Sequence, residues 1–159
     1  MISEKLVKAF NDQIVAELWS SNLYLQMAFY LKKEGWNGSA NWMLKQADEE
    51  KEHALKLADY AIKRGGEVKV GMIDVVPDGW GSLQDVFENV YEHECHVSKL
   101  INDLVDVAVA ENDKATVEFL NWFIHEQVEE EDSALSIVER LKKAGETGAF
   151  FVDAELAKR

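Results

Sequence analysis

"NWFIHEQVEEEDSALSIVERL", residues 121–141, has helical spacing, but its seam changes character half-way along. Steps of three and four give Thr116, Leu120, Phe123, Gln127, Glu130, Ala134, Ile137 and Leu141, the stripe that an amphipathic helix turns toward a core. Both ends of the stripe suit a packed interior. Its middle is an amide and an acid, and a lone charge in hydrocarbon costs several kcal/mol.

The same interruption occurs three times upstream. One stripe reads Phe10, Ile14, Glu17, Ser21, Tyr24, Ala28, Leu31, and a second Ala40, Met43, Ala47, Glu50, Ala54, Leu57, Ala61. A third reads Leu83, Phe87, Val90, Glu94, Val97, Ile101, Leu104, Ala108. Each is apolar or small at most positions and has one carboxylate near its middle. Side by side, four such helices bring Glu17, Glu50, Glu94 and Glu130 into one layer beside Gln127. His53, three residues after Glu50, shares nearly the same face.

Helix punctuation fixes the order of elements. It predicts an all-α chain, a four-helix bundle with helices over about 3–33, 39–64, 82–111 and 113–143, and a short fifth over 148–157. Ser39 and Ser82 read as N-caps, and Gly65-Gly66 and Gly145 as stops. Short links make helices one and two, and three and four, antiparallel hairpins. The crossover, residues 65–81, can extend roughly 55 Å at about 3.3 Å per residue. A helix of about 27 residues is roughly 40 Å long, so the third helix can start parallel to the second. The "AFFVDAELAKR" segment after Gly148 is too short to stand alone and is expected to dock, on its own chain or on another subunit.

The chain's 159 residues fit one domain, 1–159. Thirty acids against 17 bases leave a net charge of −13, which disfavours nucleic acid and anionic membranes and favours cations. The single Cys95 excludes a disulfide framework and a Cys-x-x-Cys knuckle. No apolar run is long enough to span a bilayer, and "MISEKLVKAF" lacks a signal peptide's basic start and apolar middle. A cytoplasmic setting is therefore expected.

No Lys or Arg stands in the four seams between the acids. Two divalent ions would neutralise four carboxylates, and oxygen ligands with one imidazole suit iron(II), manganese or zinc. His93, His96 and His125 flank the seams and read as surface or hydrogen-bonded residues, and Cys95 as a passive buried thiol. Tyr24 lies on the face of Glu17, either as a core aromatic or as a partner of the site that could donate an electron. The five tryptophans read as packing residues.

With these acids and the "EKEH" motif, Glu50–His53, the chain resembles the bacterial non-haem ferritins over nearly its whole length. The resemblance implies a ferritin-like bundle in which Glu17, Glu50 and His53 hold a first iron, with Glu50 bridging. Glu94 and Glu130 hold a second, and Gln127 supports it or binds weakly. The Gln127-x-x-Glu130 pair departs from the Glu-x-x-His of related carboxylate proteins. Glu49, Glu126 and Glu129, with Glu130, match a third iron position. The resemblance further implies iron(II) and dioxygen or hydrogen peroxide as partners and a ferric mineral core. It also implies a homo-oligomeric cage of twenty-four chains. Lys51 stands where a bacterioferritin has its haem-ligating methionine, so no haem is expected. Two alternatives stay open: a di-metal oxidase without storage, and a non-catalytic, cation-binding helical assembly.

Overall fold

A computed structural model describes residues Met1–Arg159. Its four helices are α1 (Glu4–Lys33), α2 (Asn37–Lys63), α3 (Leu83–Ala110) and α4 (Lys114–Leu156), and there is no strand. Ser3 and Ser82 cap α1 and α3 by accepting from the N–H groups of Leu6 and Asp85, and Ser82 and Asp85 close a reciprocal capping box.

Two apolar clusters form the core, one toward each end of the bundle. One joins the start of α1 (Leu6, Phe10) to the ends of α2 and α3 (Ala61, Leu104, Ala108) and the start of α4 (Leu120). The other joins Leu31, Ala40, Leu83 and Leu141. With those ends together, α1 runs antiparallel to α2 and α3 and parallel to α4. Helix α2 is therefore parallel to α3, which requires a long return. Residues 64–82 supply it by running beside α1. Asn11 Nδ2 donates to the Glu67 carbonyl, Trp19 Nε1 to that of Val75 and the Tyr30 hydroxyl to that of Gly81. Val68 and Ile73 are half-buried, whereas Val70 and Val75 face outward.

The C-terminal segment is helical, as expected, but no loop sets it apart from α4. Helical backbone continues to Leu156, broken at Gly145 by φ 65°, ψ −175°, a conformation open to glycine and strained for other residues. The redirected segment docks on its own chain, burying Ala149, Val152 and Leu156 against the second cluster. Ser39 does not cap α2, which begins at Asn37 after a Trp36 that makes no side-chain cap. The capping acceptor is Asp153. Its carboxylate accepts from Gly38 N (3.3 Å), Ser39 N (2.7 Å) and Ser39 Oγ (2.7 Å). A side chain from the far end of the sequence thus places negative charge at the helix N-terminus.

Candidate metal centre

The polar layer lies between the two apolar clusters. Along α1, Glu17 falls between Ile14 of one cluster and Leu23 of the other; along α2, Glu50 falls between Ala54 and Ala47. Glu94 sits between Val97 and Val90, and Glu130 between Phe123 and Ala134. All four glutamates and His53 are buried, and no lysine or arginine is.

Two compact donor sets share one residue. Oxygen or nitrogen atoms of Glu17, Glu50 and His53 lie within 4.8 Å of one another, as do those of Glu50, Glu94 and Glu130. Glu50 belongs to both and so stands between two candidate cation positions. His53, Glu126 and Glu130 form a third set within the same distance.

Amides and a phenol hold the acids in place. Gln13 Nε2 donates to Glu17 Oε1 (3.0 Å), and Gln46 Nε2 to Glu130 Oε2 (2.6 Å) and Glu50 Oε1 (3.4 Å). The Tyr24 hydroxyl donates to Glu94 Oε1. Gln127 Nε2 donates to the Glu94 backbone carbonyl and carboxylate, both at 3.2 Å. A backbone carbonyl can only accept, which fixes the orientation of that amide. His53 Nδ1 lies 3.2 Å from Glu50 Oε2. Two buried atoms have no partner: Glu17 Oε2 and Gln46 Oε1. Orphaned acceptors beside clustered carboxylates are the donor set a hard or borderline cation satisfies.

The electrostatics agree. Burial, then the charge of Glu50, raises the Glu17 carboxyl well above its ordinary range. Burial and Glu94 do the same to Glu50. Burial raises Glu94 against the hydrogen bonds from Tyr24 and Gln127. Glu130 is pushed up to about 7 by burial and Glu94, against the hydrogen bond from Gln46. The Tyr24 phenol is raised well above its normal value by burial and Glu94. Without a cation, this layer resists holding all its charges together.

Residues 7–144 match the family model described as a ferritin-like domain. Over 159 residues the chain is 60% identical to the bacterial non-heme ferritin of Bacteroides fragilis, covering all of both chains. The chain belongs to the ferritin family. It is also 36% identical to the bacterial non-heme ferritin of Campylobacter jejuni over 148 residues, covering 93% of this chain and 89% of that one. The open-pore ferritin of the archaeon Archaeoglobus fulgidus superposes with a TM-score of 0.98 at 48% identity. That match covers all of this chain and 99% of the archaeal one. The four-helix bundle read from the seams, and the ferritin-like fold implied by the resemblance, are the fold observed.

Other sequence expectations fare unevenly. Glu49, Glu126, Glu129 and Glu130 line a pocket of about 370 Å³ with Trp42, Gln46, Ser133 and Arg159. Within it Glu49 and Glu126 are half-buried and Glu129 is exposed. His93 shares a 2.8 Å hydrogen bond with Ser20 and lies outside the acid layer, its imidazole lowered to about 4 by burial and by His96. It lines a larger cavity of about 580 Å³ beneath the crossover, to which none of the four seam acids contributes. His96 and His125 are exposed. Cys95 is half-buried rather than buried, because it faces away from the α3 seam.

Sequence reading missed Gln13 and Gln46, although each stands four residues before a seam glutamate. Two Gln-x-x-x-Glu pairs, on α1 and α2, were the available signal. Trp122 does more than pack at random: its ring meets the His53 ring edge-on at 5.5 Å, with Lys56 Nζ 3.2 Å above it.

Proposed function

We infer that the protein takes iron(II) as substrate, oxidises it to iron(III) within the bundle with dioxygen or hydrogen peroxide, and stores the product as a ferric mineral. One observation carries this reading: two buried donor sets join at Glu50 in a layer that has no positive side chain of its own. Family membership supports iron storage; oxidation within the bundle is the finer step proposed here. Glu17, Glu50 and His53 take one iron(II), Glu50, Glu94 and Glu130 a second, and the acids around Glu49, Glu126 and Glu129 a third.

Paired iron(II) ions supply two electrons together, enough to take dioxygen to hydrogen peroxide or hydrogen peroxide to water. The protein contributes ligand geometry and access. Gln13, Gln46 and Gln127 orient the acids, and the Tyr24 phenol keeps its proton and donates it in a hydrogen bond to Glu94, within reach as an electron donor. Gln127 spends its amide N–H on Glu94, and with Glu130 in place of a histidine the second set, Glu50, Glu94 and Glu130, offers carboxylates alone. We take it to bind iron more weakly and to release the oxidised ion for storage. Storage requires an enclosed space, and we place it in a homo-oligomeric cage of twenty-four chains.

Iron(II) added aerobically to the purified protein tests the reading. A catalysed rise in ferric absorbance well above the buffer blank is expected. A rise no faster than the blank would leave only passive cation binding.

A further inference from the structure

Arg159 supplies the positive charge that the seams lack, though not within them. Its guanidinium lies 2.9 Å from Glu49 Oε2, donates to the Trp42 carbonyl at 3.3 Å and sits 4.5 Å from the Trp42 ring centroid. It lines the same pocket as Glu126, Glu129 and Glu130. Gln46, only 1% exposed and with Oε1 unpartnered, lines that pocket too. Arginine, a donor only, leaves room for a true ligand here: carboxylates and an orphaned amide oxygen still await a cation.

The arginine is held there by the rest of the C-terminal segment. The turn at Gly145 sends the chain back, Val152 and Leu156 bury themselves, and Asp153 grips the start of α2. The backbone N–H of Arg159 donates to the Leu156 carbonyl at 3.3 Å, which brings the guanidinium within reach of Glu49. The pair is nevertheless partly open to water, with side-chain exposures of 25% and 43%, so it is reversible.

We propose that Arg159 is a tethered counter-cation for the third position, holding Glu49 until a divalent ion displaces it. This rests on the proposed function only in taking Glu49, Glu126, Glu129 and Glu130 as that position. A singly charged competitor gains nothing over the arginine already present, whereas a divalent ion adds charge to the pocket. The third position therefore fills after the two buried ones, and its filling frees the guanidinium from Trp42.

Zinc(II), which is redox-silent, titrated calorimetrically into the whole metal-free protein separates the outcomes. In Arg159→Gln the weakest binding step is expected to tighten by about two- to fivefold while the two tighter steps stay put. Arg159→Lys is expected to fall between the two. Tryptophan emission, assigned to Trp42 by its loss in Trp42→Phe, is expected to change during the third step in the parent and not in Arg159→Gln. An unchanged third step in Arg159→Gln, with that step still weakened by Glu129→Ala, would overturn the counter-cation and leave the third position standing. A third step indifferent to Glu129→Ala would overturn the position itself, and the inference with it.

Discussion

Gln46 shows how much one uncharged residue governs here. Its amide nitrogen bridges Glu130 and Glu50, while its oxygen has no partner. Gln46→Leu removes the bridge and keeps the bulk. Ligand-orienting groups of this kind are worth about 10–100-fold in affinity or activity, and a loss of that size is expected in stopped-flow oxidation and in metal titration. Glu50→Ala should go further, abolishing rapid oxidation because both donor sets share that residue. Metal-free, the variant is expected to melt at the same temperature as the parent or higher, since repulsion and desolvation are both relieved. A marked loss of metal-free stability would mark Glu50 as a structural partner instead. The layer also makes stability depend on pH. Raised carboxyls bind more protons folded than unfolded, so their contribution to metal-free stability is full below about pH 4.5 and is lost as pH rises through the folded value, about 7 for Glu130. Glu130 alone can account for something on the order of 3 kcal/mol of that decline. Thermal melts of Glu130→Gln from pH 5 to 8 should show a flatter decline, and zinc(II), which needs the ionised acids, should reverse the trend in the parent. The four acids were legible in the sequence because each interrupts a regular seam. Gln46 was legible only in part: its spacing from Glu50 signals the bond within α2, but not the shorter one to Glu130 on another helix, since periodicity describes one helix at a time.

At the scale of elements, the clamp between α2 and the C-terminal segment does most to shape the molecule beyond the bundle. A Cβ on Gly38 would fall 1.9 Å from the Asp153 backbone oxygen, so Gly38→Ala must push the segment away. Asp153→Ala leaves the N-terminus of α2 without its carboxylate, a loss of about 1 kcal/mol for a capping residue. Both variants are expected to speed hydrogen exchange over residues 146–159 while the bundle helices stay protected. The other end is closed in a similar way. Asp113 accepts from Thr116 N to cap α4 and pairs with Arg64 at 3.0 Å, and Tyr60 stacks on Phe119 with ring centroids 3.9 Å apart. Helix spans and the crossover followed from seams, serines and glycines, all of them local signals. The identity of the α2 cap did not. Ser39 fits the local rule for a cap, but Asp153 lies 114 residues away and arrives only because Gly145 redirects the chain.

For the whole molecule, a net charge of −13 is a field as well as a count. It is expected to draw iron(II) toward the protein and to make the bimolecular phase of uptake fall with added salt. If chains assemble as proposed, native mass should be twenty-four times 18.1 kDa, with far more iron per chain than three sites can hold. A monomer or dimer carrying two or three irons would favour an oxidase without storage. The division of the core into two hydrocarbon plugs has one more consequence. Each plug seals its own end of the barrel, so neither depends on what occupies the gap between them. Zinc fingers collapse when emptied, because the ion is their only hub. If iron passes through that gap on its way to storage, as proposed, both stoppers stay shut throughout, as suits a port crossed many times rather than a clasp closed once.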